Sequence, residues 1–164
     1  MAIEVREAFP DEHARLGDLV VQAYHGLLLD EAYARELRDV ARRAEQAVVL
    51  AAVDEHFQLL GCVTYVPGPG PYAEFEAEDE AGIRMLAVTP AAQRRGVGEL
   101  LVRGCVVRAQ EEGKARLSLF TTPRMQAAQR LYERLGFRRA PERDRQPTPE
   151  VRLIGYVLEL RAES

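Results

Sequence analysis

The hexapeptide Gln93-Arg94-Arg95-Gly96-Val97-Gly98 decides how this chain is read. It follows the apolar run 83–88 and opens a stretch in which Val97, Leu100, Leu101, Gly104 and Cys105 share one side. A strand thus delivers the chain to a turn rich in arginine and glycine, and helical sequence begins at once. Such a junction binds anions. The first N–H groups of a helix lack intrahelical acceptors, and the helix dipole favours negative charge there. Gly96 and Gly98 carry no Cβ, so phosphate oxygens approach the main chain closely. Arg94 and Arg95 add charge-assisted donors. The arrangement points to a diphosphate.

Two familiar phosphate loops do not fit. The pattern G-x-x-x-x-G-K-[ST] is absent, and the third glycine of G-x-G-x-x-G would fall on Leu101. The hexapeptide instead matches Q/R-x-x-G-x-G/A, and a second segment agrees with it. Leu117-Ser118-Leu119-Phe120-Thr121-Thr122-Pro123 leads to Ala127-Ala128-Gln129-Arg130-Leu131-Tyr132-Glu133-Arg134-Leu135-Gly136-Phe137, an A-x-x-L-Y-x-x-x-G-F ending. On these two motifs, in this order, the chain resembles the GNAT superfamily of N-acetyltransferases. The resemblance is carried by roughly residues 81–138 and extends more weakly over the whole chain.

The resemblance implies an α/β (α+β) GNAT fold, a single domain over 1–164. Its mixed central sheet would have about seven strands and four helices, with strands 83–88 and 117–121 splayed apart. It implies acetyl-coenzyme A as co-substrate, no metal, and direct transfer to a small-molecule amine or a protein amino group. It also allows a homodimer. The cofactor contacts it implies are Gln93, Arg94, Arg95, Gly96, Val97, Gly98 and Glu99 around the diphosphate. Backbone groups of Leu86, Ala87 and Val88 would lie along the pantetheine arm, with Met125 and Ala128 opposite. Met125 stands where the family often has asparagine, and its side chain cannot donate a hydrogen bond.

Tyr132 occupies the L-Y position that in the family donates to the departing sulfur. Ala128, Leu131, Tyr132 and Leu135 also form an i, i+3, i+4, i+7 stripe, so a core tyrosine is the competing reading. Full proton transfer from a phenol to a thiolate runs uphill by roughly 2 kcal/mol, which favours a hydrogen bond or a relay. For the general base, the family's glutamate position is filled here by Gly82. Glu80, with Asp79 and Glu78, stands just upstream and is the expected substitute. The five acids Glu74, Glu76, Glu78, Asp79 and Glu80 read either as a solvated loop or as a rim attracting cationic amines. A rival function is a non-catalytic acyl-coenzyme A sensor, favoured by Gly82 and Met125.

Composition sets the outer limits. With 164 residues, 47% apolar, 29% charged and a net charge of −4, the chain reads as a globular protein. Non-specific nucleic-acid binding is not expected of it. No run approaches the ~18 apolar residues of a membrane helix, and no signal-peptide pattern opens the chain. A cytoplasmic location is expected, with Cys62 and Cys105 as structural thiols. His13, His25 and His56 are read as non-catalytic. Lys114 is the sole lysine among 22 basic residues and asparagine is absent, a bias that discounts arginine abundance as a functional sign.

Periodicity predicts the order β-α-α-β-β-β-α-β-α-β-β. Its parts are a strand at 2–9, a helix opening at Pro10, a second helix at 30–43, and strands at 46–53 and 57–66. After the loop 67–71 come the strand 83–88, the helix 98–111 and the strand 117–121. A helix capped by Thr122 with Pro123 at its first position follows, then closing strands at 137–139 and 151–160 around a loop at 141–149.

Overall fold

A computed structural model describes residues 2–24 and 31–161. Among them run β1 (Glu4–Glu7), α1 (His13–Ala23), α2 (Glu31–Arg38), α3 (Val40–Gln46), β2 (Val48–Val53), β3 (Leu59–Val66) and β4 (Glu80–Val88). Then follow α4 (Val97–Glu111), β5 (Arg116–Thr121), α5 (Gln126–Arg134), β6 (Arg138–Arg139), β7 (Arg145–Thr148) and β8 (Val151–Glu159). The sheet order is β1-β2-β3-β4-β5-β8-β6, with β7 paired to β8. All pairs are antiparallel except β4 with β5, which α4 connects as a crossover. No described helix is long and apolar enough to cross a membrane.

Helices cover both sheet faces. Leu16 and Val20 of α1, Leu37 of α2 and Val40 of α3 pack on Val49, Ala51, Cys62, Met85 and Ala87. On the other face Val97, Leu101 and Cys105 of α4 and Tyr132 of α5 meet Leu50, Val63, Ile83, Leu119 and Tyr156.

The expected elements recur with four differences. The helix expected at 30–43 is two helices, because Asp39 leaves helical geometry (ψ 67°) and its carboxylate accepts the N–H of Arg42, capping α3. Its first residue, Asp30, lies outside the described residues, as does His25. Pro10 opens a short 3-10 turn before α1 rather than α1 itself. Thr122 does not cap α5: the Thr122 carbonyl accepts Met125 N–H at 3.1 Å, a turn that uses Pro123 and delays α5 to Gln126. The loop expected at 141–149 holds β7, whose Pro147 is tolerated on an edge strand. Eight strands and five helices among the described residues therefore replace seven and four.

β4 carries the largest irregularity. Met85 has φ 58°, and the register with β3 shifts between Cys62 and Thr64. This is a β-bulge, and one inserted residue exchanges the two faces. Before it, Ala81 and Ile83 face α4; after it, Leu86 and Val88 do, while Met85 and Ala87 turn to the α1–α3 side.

The opposite end of β4 is locked by charge. Glu80 is 1% exposed. Its carboxylate accepts both terminal nitrogens of Arg143 at 2.7 and 2.8 Å and the Ser118 hydroxyl at 2.6 Å. Arg116 stands 3.9 Å away. Burial alone would raise the Glu80 pKa, but the Arg143 and Ser118 hydrogen bonds outweigh it and hold the carboxyl below its ordinary value. Glu80→Gln is expected to cost about 1–3 kcal/mol at neutral pH, since the half-exposed Arg143 partly screens the pair. A carboxyl with a lowered pKa stabilises above the ordinary carboxylate range and loses that contribution as pH falls through its folded value. Urea titrations should therefore show the gap between parent and variant shrinking under acid; equal stability at neutral pH would refute the lock.

Candidate active site

The arginine–glycine turn is built by two left-handed residues. A 3-10 turn at Pro90–Ala92 accepts the N–H of Gln93 and of Arg95 on the carbonyls of Pro90 and Ala92, both at 3.3 Å. Arg94 (φ 71°) and Gly96 (φ 77°) then turn the chain, and Gly96 caps α4. Among the described residues, the N–H groups of Arg94, Gly96, Val97, Gly98 and Glu99 have no protein acceptor. Buried Val97 anchors the turn while Gln93, Arg94 and Gly96 stay exposed and Arg95 is half-buried. Glu99, the acid nearest this cradle, is drawn aside by Arg103 at 3.7 Å and Arg134 at 3.6 Å. Gly98 is revealing: a Cβ there would meet only Leu131 at 3.5 Å and Val88 at 3.8 Å, ordinary contacts. The fold itself does not require glycine at 98, whereas a phosphate seated on the N–H groups does.

The strands adjoining this cradle part. β4 and β5 pair from Glu80↔Arg116 to Ile83↔Leu119 and no further, so residues 84–88 face a gap. Where the gap begins, a cleft of ≈ 490 Å³ opens, bordered by Ile83, Met85, Phe120, Thr121, Thr122 and Met125; Leu86, Ala87, Val88 and the turn at 93–99 do not line it. Tyr24 just past α1, Tyr33 of α2 and the β7–β8 hairpin also line it. Thr89 N–H bonds the Leu60 carbonyl at 2.9 Å, so backbone alternation turns Ala87 toward β3 and turns the N–H of Leu86 and Val88 into the gap. Ala128 is half-buried against the core on the α4 side and does not line the cleft.

The titratable residues expected to act here are placed less directly. Tyr132 is 5% exposed, with its ring 5.8 Å from Phe137 and 6.0 Å from Tyr156. Its hydroxyl has no hydrogen-bond partner among the described residues, and burial raises its pKa, so the phenol stays protonated. Glu80 does not border the cleft; it sits in the lock at the paired end of β4. Of the five acids at 74–80, only Glu74 reaches the cleft, and it is shared by Arg84 at 3.4 Å and Arg145 at 2.8 Å. Asp79 is held by Arg116. Gly82 is occupied from outside: a Cβ there would lie 2.8 Å from the Phe75 ring, so that ring takes the space a glutamate side chain would use.

Cys62 and Cys105 are buried, and desolvation pushes both thiols up to about 12, which removes them as nucleophiles. His13 is half-buried and His56 exposed. No group of three potential metal ligands occurs among the described residues. Sequence reasoning missed Tyr24, Tyr33, Thr121 and Thr122 as cleft residues; nothing in their spacing sets them apart from ordinary helix and strand positions.

Residues 13–137 match the model of the acetyltransferase (GNAT) family. An uncharacterised N-acetyltransferase of Schizosaccharomyces pombe is 30% identical over 104 residues, 63% of this chain. The match spans 60% of that curated relative's length. Among solved structures, a GNAT-family acetyltransferase of Staphylococcus aureus Mu50 superposes with a TM-score of 0.78 at 15% identity, covering 98% of this chain and 100% of its own. An acetyltransferase of Salmonella typhimurium, solved with acetyl-coenzyme A, gives 0.72 at 19% identity over 100% and 97%.

Proposed function

The chain belongs to the acetyltransferase (GNAT) family, and from that premise we propose that it transfers an acetyl group from acetyl-coenzyme A to a primary amine of a small molecule or protein. The amine attacks directly, within one complex holding both reactants. The observation that carries this reading is the cleft left where β4 parts from β5, continuous in sequence with the empty-handed N–H groups at the start of α4.

The residues present fit the co-substrate. The N–H groups of Gly96, Val97, Gly98 and Glu99 with Arg94 and Arg95 suit its diphosphate, and Gly98 leaves room for it. What acetyl-coenzyme A supplies when bound is an activated thioester. The N–H groups of Leu86 and Val88 are fixed by the sheet and aimed into the gap, so they hold oxygen where negative charge develops without reorganising. Tyr132 holds a proton that burial keeps on the phenol, and it serves as a hydrogen-bond donor to the departing sulfur. Neither buried cysteine takes part.

The ammonium proton leaves to water at the mouth of the cleft. Glu80, expected from the sequence to accept it, is in this reading structural, since both of its oxygens are committed to Arg143 and Ser118. The Phe75 ring over Gly82 also favours a second reading, a binder of acyl-coenzyme A that transfers nothing. A thiol-release assay with acetyl-coenzyme A against a panel of amines, amino acids and peptides decides: turnover with any acceptor sustains the enzyme, and binding without release sustains the sensor.

Gly98→Glu is expected to abolish the thermal shift that coenzyme A produces in the parent while leaving the unliganded melting temperature close to it; equal shifts would remove the loop from the site. Tyr132→Phe should lower kcat by about 10- to 1000-fold with little change in coenzyme A affinity, and parental turnover in that variant would reassign the proton to water. Glu80→Gln should leave the shape of the kcat–pH profile intact despite its stability cost. A displaced acidic limb would restore Glu80 as the base.

A further inference from the structure

Helices α1 to α3 cover only part of their face of the sheet. The sheet residues they bury are Val49, Ala51 and Val53 of β2, Cys62 of β3, and Met85 and Ala87 of β4, with none from β5 or β8. Alternation turns Phe120 to this uncovered side, because Leu119 packs with Tyr132 on the other. The cleft opens there. Met85 and Phe120 line it from the sheet, Tyr24 and Tyr33 from the helix layer, and Val151 and Leu153 from the β7–β8 hairpin.

Charge along this lining is either paired or positive in balance. Glu74 is held by Arg145 at 2.8 Å and by Arg84 at 3.4 Å. Arg84 in turn donates to the Tyr72 carbonyl at 3.3 Å and bonds Tyr33. The other charged residues of the lining, Glu150, Arg124 and Arg152, are exposed, where an ion pair with a ligand is worth little. Arg84, Arg124 and Arg152 thus stand against Glu74 and Glu150. A second ammonium group on an acceptor meets no unpaired buried carboxylate among the described residues of the cleft. An amine attacks only when neutral, and positive surroundings favour its neutral form. To the rest of the acceptor the cleft offers aromatic and thioether surface.

We infer that the acceptor is a monoamine carried on an aromatic body, an arylalkylamine, with its ring against Tyr24, Tyr33 and Phe120 and its nitrogen toward the gap. This rests on the acetyltransferase reading above and names the substrate class that reading leaves open. Arg145 contributes twice. Its guanidinium lies 4.8 Å from the centre of the Phe120 ring and also bonds Glu74, so it steadies the ring while cancelling the carboxylate that would select a diamine.

Initial rates at saturating acetyl-coenzyme A test the inference with 2-phenylethylamine, 2-cyclohexylethylamine, propylamine, putrescine and a short peptide. The kcat/KM for 2-phenylethylamine should exceed that for propylamine by about 10- to 100-fold, from the ring surface buried. It should exceed that for 2-cyclohexylethylamine by about 2- to 10-fold, from contact between rings. Putrescine should fall at or below propylamine. Phe120→Leu should shrink the ratio of 2-phenylethylamine to propylamine by about 3- to 10-fold, whereas a general loss of folded protein lowers both rates alike. Arg145→Gln should raise the ratio of putrescine to propylamine by about 2- to 5-fold, because Glu74 loses one of its two partners. A parent that prefers putrescine or the peptide overturns the substrate class and leaves the acetyltransferase reading standing. A cyclohexyl amine as good as the phenyl one, or ratios unmoved in both variants, does the same. A thermal shift with acetyl-coenzyme A and no acetylation of any amine overturns both.

Discussion

One left-handed residue governs this architecture. Met85 is neither glycine nor asparagine, yet it holds φ 58° in the middle of a strand. Such a conformation costs of order 1 kcal/mol or more and persists only where packing enforces it. Here the Met85 side chain is buried against the α1–α3 layer. From this single insertion follow the exchange of faces along β4, the loss of pairing with β5, and the two N–H groups turned into the gap. A regular strand at 80–88 would keep zipping to β5 and leave no cleft.

The parting has to be confined to one end, and electrostatics confines it. Glu80 ties β4 to Ser118 of β5 and to Arg143 at the start of the β7 segment. Arg139 grips Asp144 nearby, holding that carboxyl at about 2, and Asp144 in turn accepts the Gly155 N–H of β8 at 3.0 Å. The strands that part above Ile83 are thus clamped below it by ion pairs rather than by apolar contact alone. Internal pairing also takes up three of the five acids at 74–80, Glu74, Asp79 and Glu80. Glu74 pairs with Arg84 and Arg145, Asp79 with Arg116, and Glu80 with Arg143.

Much of this was legible in the sequence where local chemistry decides structure. The turn at 93–98 could be read because glycine and arginine at a strand–helix junction leave few alternatives, and the order of elements followed from periodicity. The parting of 83–88 from 117–121 came from the family resemblance. The bulge stayed hidden because Met85-Leu86-Ala87-Val88 is apolar throughout, so no alternation betrays a change of face. The break at Asp39 looked like an ordinary polar helix position, since aspartate caps and exposed aspartates read alike. Glu80 was misplaced for a different reason: its role is set by Arg143, 63 residues away, and separation in sequence carries no trace of such a pair. The delayed start of α5 likewise depended on Thr122 offering its carbonyl rather than its hydroxyl.

Lys114 gives the arginine bias a chemical meaning. It is the chain's single lysine, and its Nζ donates to the Glu78 carbonyl at 3.1 Å. Guanidinium groups stay protonated at any physiological pH and are poor acyl acceptors. Lys114 is therefore the one side-chain alkyl amine in this sequence. The charges that clamp the sheet are carried instead by guanidinium groups, whose protonation no physiological change of pH removes.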